Sequence, residues 1–177
     1  MQKRLWSRRA AGAFTRISIM AFLASLVMMA GLSRPAQAQW AYNWDAEEYI
    51  LSYGNTGFVT FLCRYNLLEY NGQPVKTIDI KLLNKGTIAA QIDNVQFSPD
   101  RDQAVVNATG AFSYQQYQLV NGRWTLVKSV AEVKIVATFD KVRERAAYVS
   151  LSITDADGNV IYDSNGPFSF MFYTQMK

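Results

Sequence analysis

Over most of its length beyond residue 77 the chain alternates apolar and polar side chains with a period of two. In TIDIKLL, Ile78, Ile80 and Leu82 share one side while Asp79 and Lys81 take the other. The same alternation puts Val133, Ile135, Ala137 and Phe139 on one face, Val149, Leu151 and Ile153 on another, and Phe168, Phe170 and Phe172 on a third. A period of two is the mark of a strand with one buried and one wet face, and the supply of Val, Ile, Thr, Tyr and Phe suits strands. Two places read as slips of register. Ile88, Ala90 and Ile92 lie on one parity and Val95 and Phe97 on the other, which predicts a β-bulge at Asp93-Asn94. A second slip is read at Thr109-Gly110, between Ala104/Val106/Ala108 and Phe112/Tyr114, where glycine marks a bend or a close backbone approach.

Turn chemistry punctuates these runs. Asn121-Gly122 is a strong hairpin signal; it sets Leu119 opposite Trp124 and Tyr117 opposite Leu126. Asn71-Gly72, Asn84-Lys85-Gly86 and Ser98-Pro99-Asp100 are further turns. The stretch SITDADGNVIYDS carries three acids around a glycine. Counted from Asp155, the glycine falls at position 4 rather than 6 and no glutamate stands at 12, so the spacing of a calcium loop fails. Asp155-Ala156-Asp157-Gly158 fits a type I turn with a glycine bulge instead, pairing Ile153 with Ile161. One helix is predicted, over Trp44 to Tyr53, with Asp45 as N-cap, Glu47 and Glu48 in its first turn and Gly54 after its end. DKVRERA, from Asp140, reads as a weaker helix or as a charged hairpin connection.

Several short strands between turns, with little helix, predict an all-β fold, an antiparallel β-sandwich of about seven strands with one short N-terminal helix. In TIDIKLLNKGTIAAQIDNVQFS the strand–turn–strand unit resembles those of immunoglobulin-like modules, although a single cysteine, Cys63, excludes the cross-sandwich disulfide. That resemblance is to an architecture, and architecture alone assigns no function. Cys63, within FVTFLCRYN, reads as a small buried hydrophobe.

Charge changes the picture once the leader is set aside. Residues 1–38 have the layout of a secretory signal peptide: five basic residues from Lys3 to Arg16, an uncharged apolar run from Ile17 to Leu32, and Ala36-Gln37-Ala38 as a cleavage site. Cleavage after Ala38 leaves a single domain, residues 39–177, bound for the periplasm or the extracellular space with no membrane span. Arg8-Arg9 resembles part of a twin-arginine signal, but Ala10-Ala11-Gly12 lack the large apolar side chains expected next. Six of the 18 lysines and arginines precede residue 39 and all 14 acids follow it, so the remaining chain carries 12 cations against 14 anions, a net charge of −2 rather than +4. Such a body offers no footprint for a nucleic-acid backbone.

Candidate chemistry is sparse. The chain has no histidine, which removes the commonest general base, nucleophile partner and zinc ligand. Asp100/Asp102 and Glu47/Glu48 are the nearest approach to a carboxylate pair, and both read more simply as solvated polar residues. No catalytic residue, metal ligand or cofactor is assigned. The distinctive signal is aromatic: Trp40, Tyr42 and Trp44 alternate. Their rings either tuck into the core or project together, as an anchor on a protein partner or as a stacking platform for sugar rings. The expectation is therefore an exported, non-catalytic protein that binds a protein partner, as an accessory or structural component of an envelope assembly. The alternative is a carbohydrate- or surface-binding module that uses the same three residues.

Overall fold

The computed structural model describes residues 38–164 and 170–177. Residues 1–37 of the leader, and Phe168, lie outside the described residues. Ten strands occur in chain order: β1 (Trp40–Tyr42), β2 (Ile50–Asn55), β3 (Val59–Tyr70), β4 (Gln73–Leu82), β5 (Gly86–Phe97), β6 (Gln103–Val120), β7 (Arg123–Arg143), β8 (Ala146–Asp155), β9 (Val160–Asp163) and β10 (Phe170–Met176). Consecutive strands from β2 to β8 pair antiparallel, β8 pairs with β10, and β10 returns to pair with β2. Eight strands thus close on themselves. The fold is an up-and-down antiparallel β-barrel and not the expected immunoglobulin-like sandwich. β1 extends the sheet beside β3, and β9 lies beside β8.

The physical reason for the correction is that both architectures bury one side of each strand, so alternation cannot tell them apart. What separates them is the seam between the first and last barrel strands, where Ile50–Tyr53 pair with Tyr173–Met176. Closing the ring leaves no long sheet edge. An eight-stranded barrel is just wide enough for side chains to fill. Here Phe61 lies at the centre, its ring 6.1 Å from Phe139 and 5.6 Å from Phe172, with Ile78, Ile135, Leu151 and Ile153 fully buried around it. Small residues oppose large ones across the β6–β7 ladder, Ala104 against Phe139 and Ala108 against Ile135, so that the inner layers interdigitate. The two polar groups facing each other inside satisfy one another: the hydroxyls of Ser52 and Thr174 are 2.8 Å apart across the seam.

No helix occurs among the described residues. Trp44 to Tyr49 is turn and bend, and from Ile50 the chain is strand β2. Cap signals around Asp45 are outvoted because Ile50 and Ser52 alternate into the barrel and gain hydrogen-bonded neighbours on both sides. DKVRERA is a hairpin connection, with the turn at Glu144-Arg145. The bulge predicted at Asp93-Asn94 is present: Ile92 faces Ala108, Asn94 faces Asn107, and Asp93 is the extra residue. The slip expected at Thr109-Gly110 is not, since the β6–β7 register runs unbroken from Gln103 to Val120. Gly110 serves close approach instead; a Cβ there would lie 2.5 Å from the Ala90 Cα.

Both Asn-Gly turns hold positive φ at each residue, 52° and 72° at Asn71-Gly72 and 49° and 74° at Asn121-Gly122, as two-residue hairpins require. The β8–β9 connection is the turn expected of Asp155-Ala156-Asp157-Gly158, with Gly158 at φ +87° and its N–H donating to the Asp155 carbonyl at 3.1 Å. Its register differs from expectation by one residue: Ile153 pairs with Tyr162, not Ile161.

Candidate binding surface

β1 is tied to the barrel by the far end of β3, where Trp40 stands opposite Tyr70 and Tyr42 opposite Leu68. The strand is short, and the next residue completes the attachment. The Asn43 backbone N–H donates to the Leu67 carbonyl at 2.8 Å, and the Asn43 side-chain amide donates to Glu69 Oε1 at 2.8 Å. β3 can receive it because its pairing with β2 ends at Tyr65, which frees that edge of Leu68–Tyr70 while Glu69 and Tyr70 stay paired with β4 on the other. Between the two partners β3 carries a bulge, with Asn66 at φ 58°.

This placement puts the aromatic residues outside. Trp40, Tyr42 and Trp44 are each 57–60 % exposed, so they form part of the surface rather than the core. The Trp40 ring packs on Tyr70 at 4.9 Å, and Tyr42 stacks on Trp44 at 5.2 Å with the planes only 9° apart. The three residues therefore do not make one continuous row; they make two ring pairs. Tyr70 completes the group and was not singled out in the sequence. It lies far along the chain, and its only local signal is its position immediately before the Asn71-Gly72 turn. A shallow hollow of about 430 Å³ at the same end of the barrel is lined by Asn43, Glu47, Glu48, Asn66, Pro74 and Lys76 and by none of the four rings. A surface of exposed flat rings can bury apolar area against a partner, and the Tyr hydroxyls can hydrogen-bond at its rim.

Of the carboxylates considered in the sequence, Glu48, Asp100 and Asp102 are drawn to the same end of the barrel and engaged there. Glu48 pairs with Arg101 at 2.6 Å, and the Arg101 guanidinium lies over the Phe97 ring at 4.8 Å. Asp102 pairs with Lys141 at 3.2 Å. Asp100 accepts from the Ser98 hydroxyl and from the Asp102 backbone N–H, which hold its carboxyl below the ordinary carboxylate range. These contacts pin the Ser98–Gln103 turn, where Arg101 sits at φ 61°, to the segment leading into β2.

At the Asp155 turn the carboxylate is turned inward on its own loop. Its oxygens accept from the Asn159 side chain at 2.9 Å, the Asn159 backbone N–H at 2.8 Å and the Asp157 N–H at 3.0 Å, which lowers its pKa. Cys63 is buried inside the barrel, and desolvation pushes its thiol far above the ordinary range. No family model, curated protein or solved structure matches the chain.

Proposed function

We propose that the protein is an exported binding module that acts through its outer surface, docking by Trp40, Tyr42, Trp44 and Tyr70 on a protein partner in the cell envelope. One observation carries this reading: four large aromatic side chains, from β1, the turn after it and the end of β3, are held in pairs on the outside of the barrel. Exposed Trp and Tyr are the residues that dominate protein interfaces, because they bury much area while fixing few torsions. The apolar filling of the barrel supports the same view, since it directs attention from the lumen to the outside.

A second reading draws on a separate observation. Tyr42 and Trp44 stack with their planes nearly parallel, an arrangement of exposed flat rings that suits a sugar. A photo-crosslinking residue at Tyr42, compared with one at Lys134 on the outer wall of β7, separates the two in cells. A discrete protein adduct at Tyr42 and none at Lys134 supports the partner reading. A glycan adduct in its place supports the second, and equal labelling at both positions removes both.

A further inference from the structure

The barrel keeps apolar residues inside and turns polar ones such as Asp79, Lys81, Thr87, Asn107 and Ser152 outward, the reverse of a lipid-facing transmembrane barrel. The β6–β7 hairpin breaks this rule. β5 leaves β6 at the Gly86–Tyr114 pair, and β8 leaves β7 at the Val133–Asp155 pair. Beyond those points the two strands run on alone to Asn121-Gly122, and from Gln115 this arm measures about 20 Å.

Its two faces differ. The pairs Gln116–Val127, Gln118–Thr125 and Val120–Arg123 lie on the face that continues the barrel interior, where polar side chains are the majority. The face continuous with the outer wall carries the cross-strand pairs Tyr117–Leu126 and Leu119–Trp124, which are 49–71 % exposed. One rung nearer the barrel on that outer face stands Gln115–Lys128, and the next row runs Val130–Ser113–Thr87–Lys81 across four strands. At this base lies a hollow of about 440 Å³ that presents Lys81, Lys85 and Lys128 with Asn84, Thr87 and Gln115, and no carboxylate among its lining residues. No acid occurs from Gln103 to Ala131, although residues 39–177 carry more acids than bases.

We propose that this arm docks the protein on a bilayer containing anionic lipid, with the hollow at Lys81, Lys85 and Lys128 taking a headgroup phosphate and Tyr117, Leu119, Trp124 and Leu126 entering the interface. The order of groups along the arm carries the choice of partner. A lysine band is followed, about 13 Å nearer the tip, by a tryptophan–leucine rung, and a bilayer surface presents phosphate first and hydrocarbon below it. Trp and Tyr favour that boundary, and clustered lysines near it are attracted to anionic lipid. Phe58 and Leu83, also exposed, sit on adjoining turns at the same end of the barrel, where the Leu83 N–H donates to the Phe58 carbonyl at 2.8 Å. They supply a second point of contact.

Sedimentation of the purified protein with phosphatidylcholine vesicles, and with vesicles that also contain phosphatidylglycerol, tests the proposal. The expected result is binding to the anionic vesicles at least about tenfold tighter than to the neutral ones. Lys81→Gln/Lys85→Gln/Lys128→Gln removes that preference, and Leu119→Ser/Trp124→Ser weakens binding to both vesicles with the melting temperature unchanged. Inorganic phosphate and glycerol phosphate at the same concentration leave the melting temperature where it was. Equal binding to both vesicle types, binding indifferent to the five substitutions, or a response to soluble phosphate without vesicle binding would overturn it. So would a self-association of the protein that Trp124→Ser abolishes while vesicles remain unbound.

Discussion

The ring of Phe172 lies directly on Gly54: a Cβ at Gly54 would fall 1.8 Å from the Phe172 Cδ1 and 2.4 Å from its Cε1. The two residues meet at the seam where β2 and β10 close the barrel, and the ring is wedged there between Phe61 and Phe170. The missing side chain at Gly54 is therefore what lets the aromatic core reach the closing strands. Gly54→Ala is expected to cost about 1–3 kcal/mol through overpacking, although alanine is the better strand residue in isolation. In a Phe172→Ala background the same change is expected to cost nothing. Urea denaturation of the four proteins of this cycle checks it, and additive costs would show that the ring and the glycine act separately.

The Asp155 turn makes a second prediction. Gly158 has open space around it but a φ of +87°, so its substitution is a test of backbone conformation rather than of crowding. Gly158→Val is expected to destabilise by about 1–3 kcal/mol, and Gly158→Asn, which tolerates that conformation, by much less. Thermal melts of both variants measure the difference. Added calcium is expected to leave the melting temperature of the native protein unchanged.

The same turn has a definite pH signature. Hydrogen bonds from the Asn159 side chain and backbone hold the folded Asp155 carboxyl below its ordinary value. A depressed folded pKa contributes stability that is fully present above the unfolded value, about 3.9, and is lost as pH falls through the folded one. The gap in melting temperature between the native protein and Asp155→Asn is accordingly constant near neutral pH and narrows below about pH 4. A gap that stays constant down to about pH 2 would refute the assignment.

Cys63 faces the interior with no solvent exposure, and burial disfavours its thiolate. Ellman's reagent is expected to leave it unlabelled in the folded protein and to label one thiol per chain in denaturant. Labelling at the rate of a free thiol under native conditions would mean that this part of the barrel opens readily.

Much of this architecture could be read locally. Alternation assigned the inward faces of β4, β7 and β8, Asn-Gly pairs fixed two hairpins, and the parity change after Ile92 located a bulge. The failures are of two kinds. Barrel closure depends on the pairing of β2 with β10, which are separated by more than a hundred residues, and no local pattern encodes it. The helix over Trp44 to Tyr53 failed because cap signals are weak beside two strand neighbours. The supposed slip at Thr109-Gly110 had no parity change behind it, since Ala108, Phe112 and Tyr114 are all even-numbered. At the candidate surface, Trp40, Tyr42 and Trp44 were visible as a group, whereas Tyr70 and the basic hollow come together only through folding. Lys81, Lys85 and Lys128 are scattered in the chain, and β4, the turn after it and β7 collect them.

Closure of the barrel is most directly tested at the pairing of its first strand with its last. Tyr53 and Tyr173 are opposite one another on β2 and β10, with rings 4.8 Å apart on the outer wall. Paired antiparallel residues stand about 4.5–5.5 Å apart at Cα, within the span of a disulfide. In a Cys63→Ala background, Tyr53→Cys/Tyr173→Cys is expected to form an intramolecular disulfide under mild oxidation, giving a folded monomer with a raised melting temperature. Two free thiols persisting in the folded, oxidant-treated protein would contradict a closed barrel.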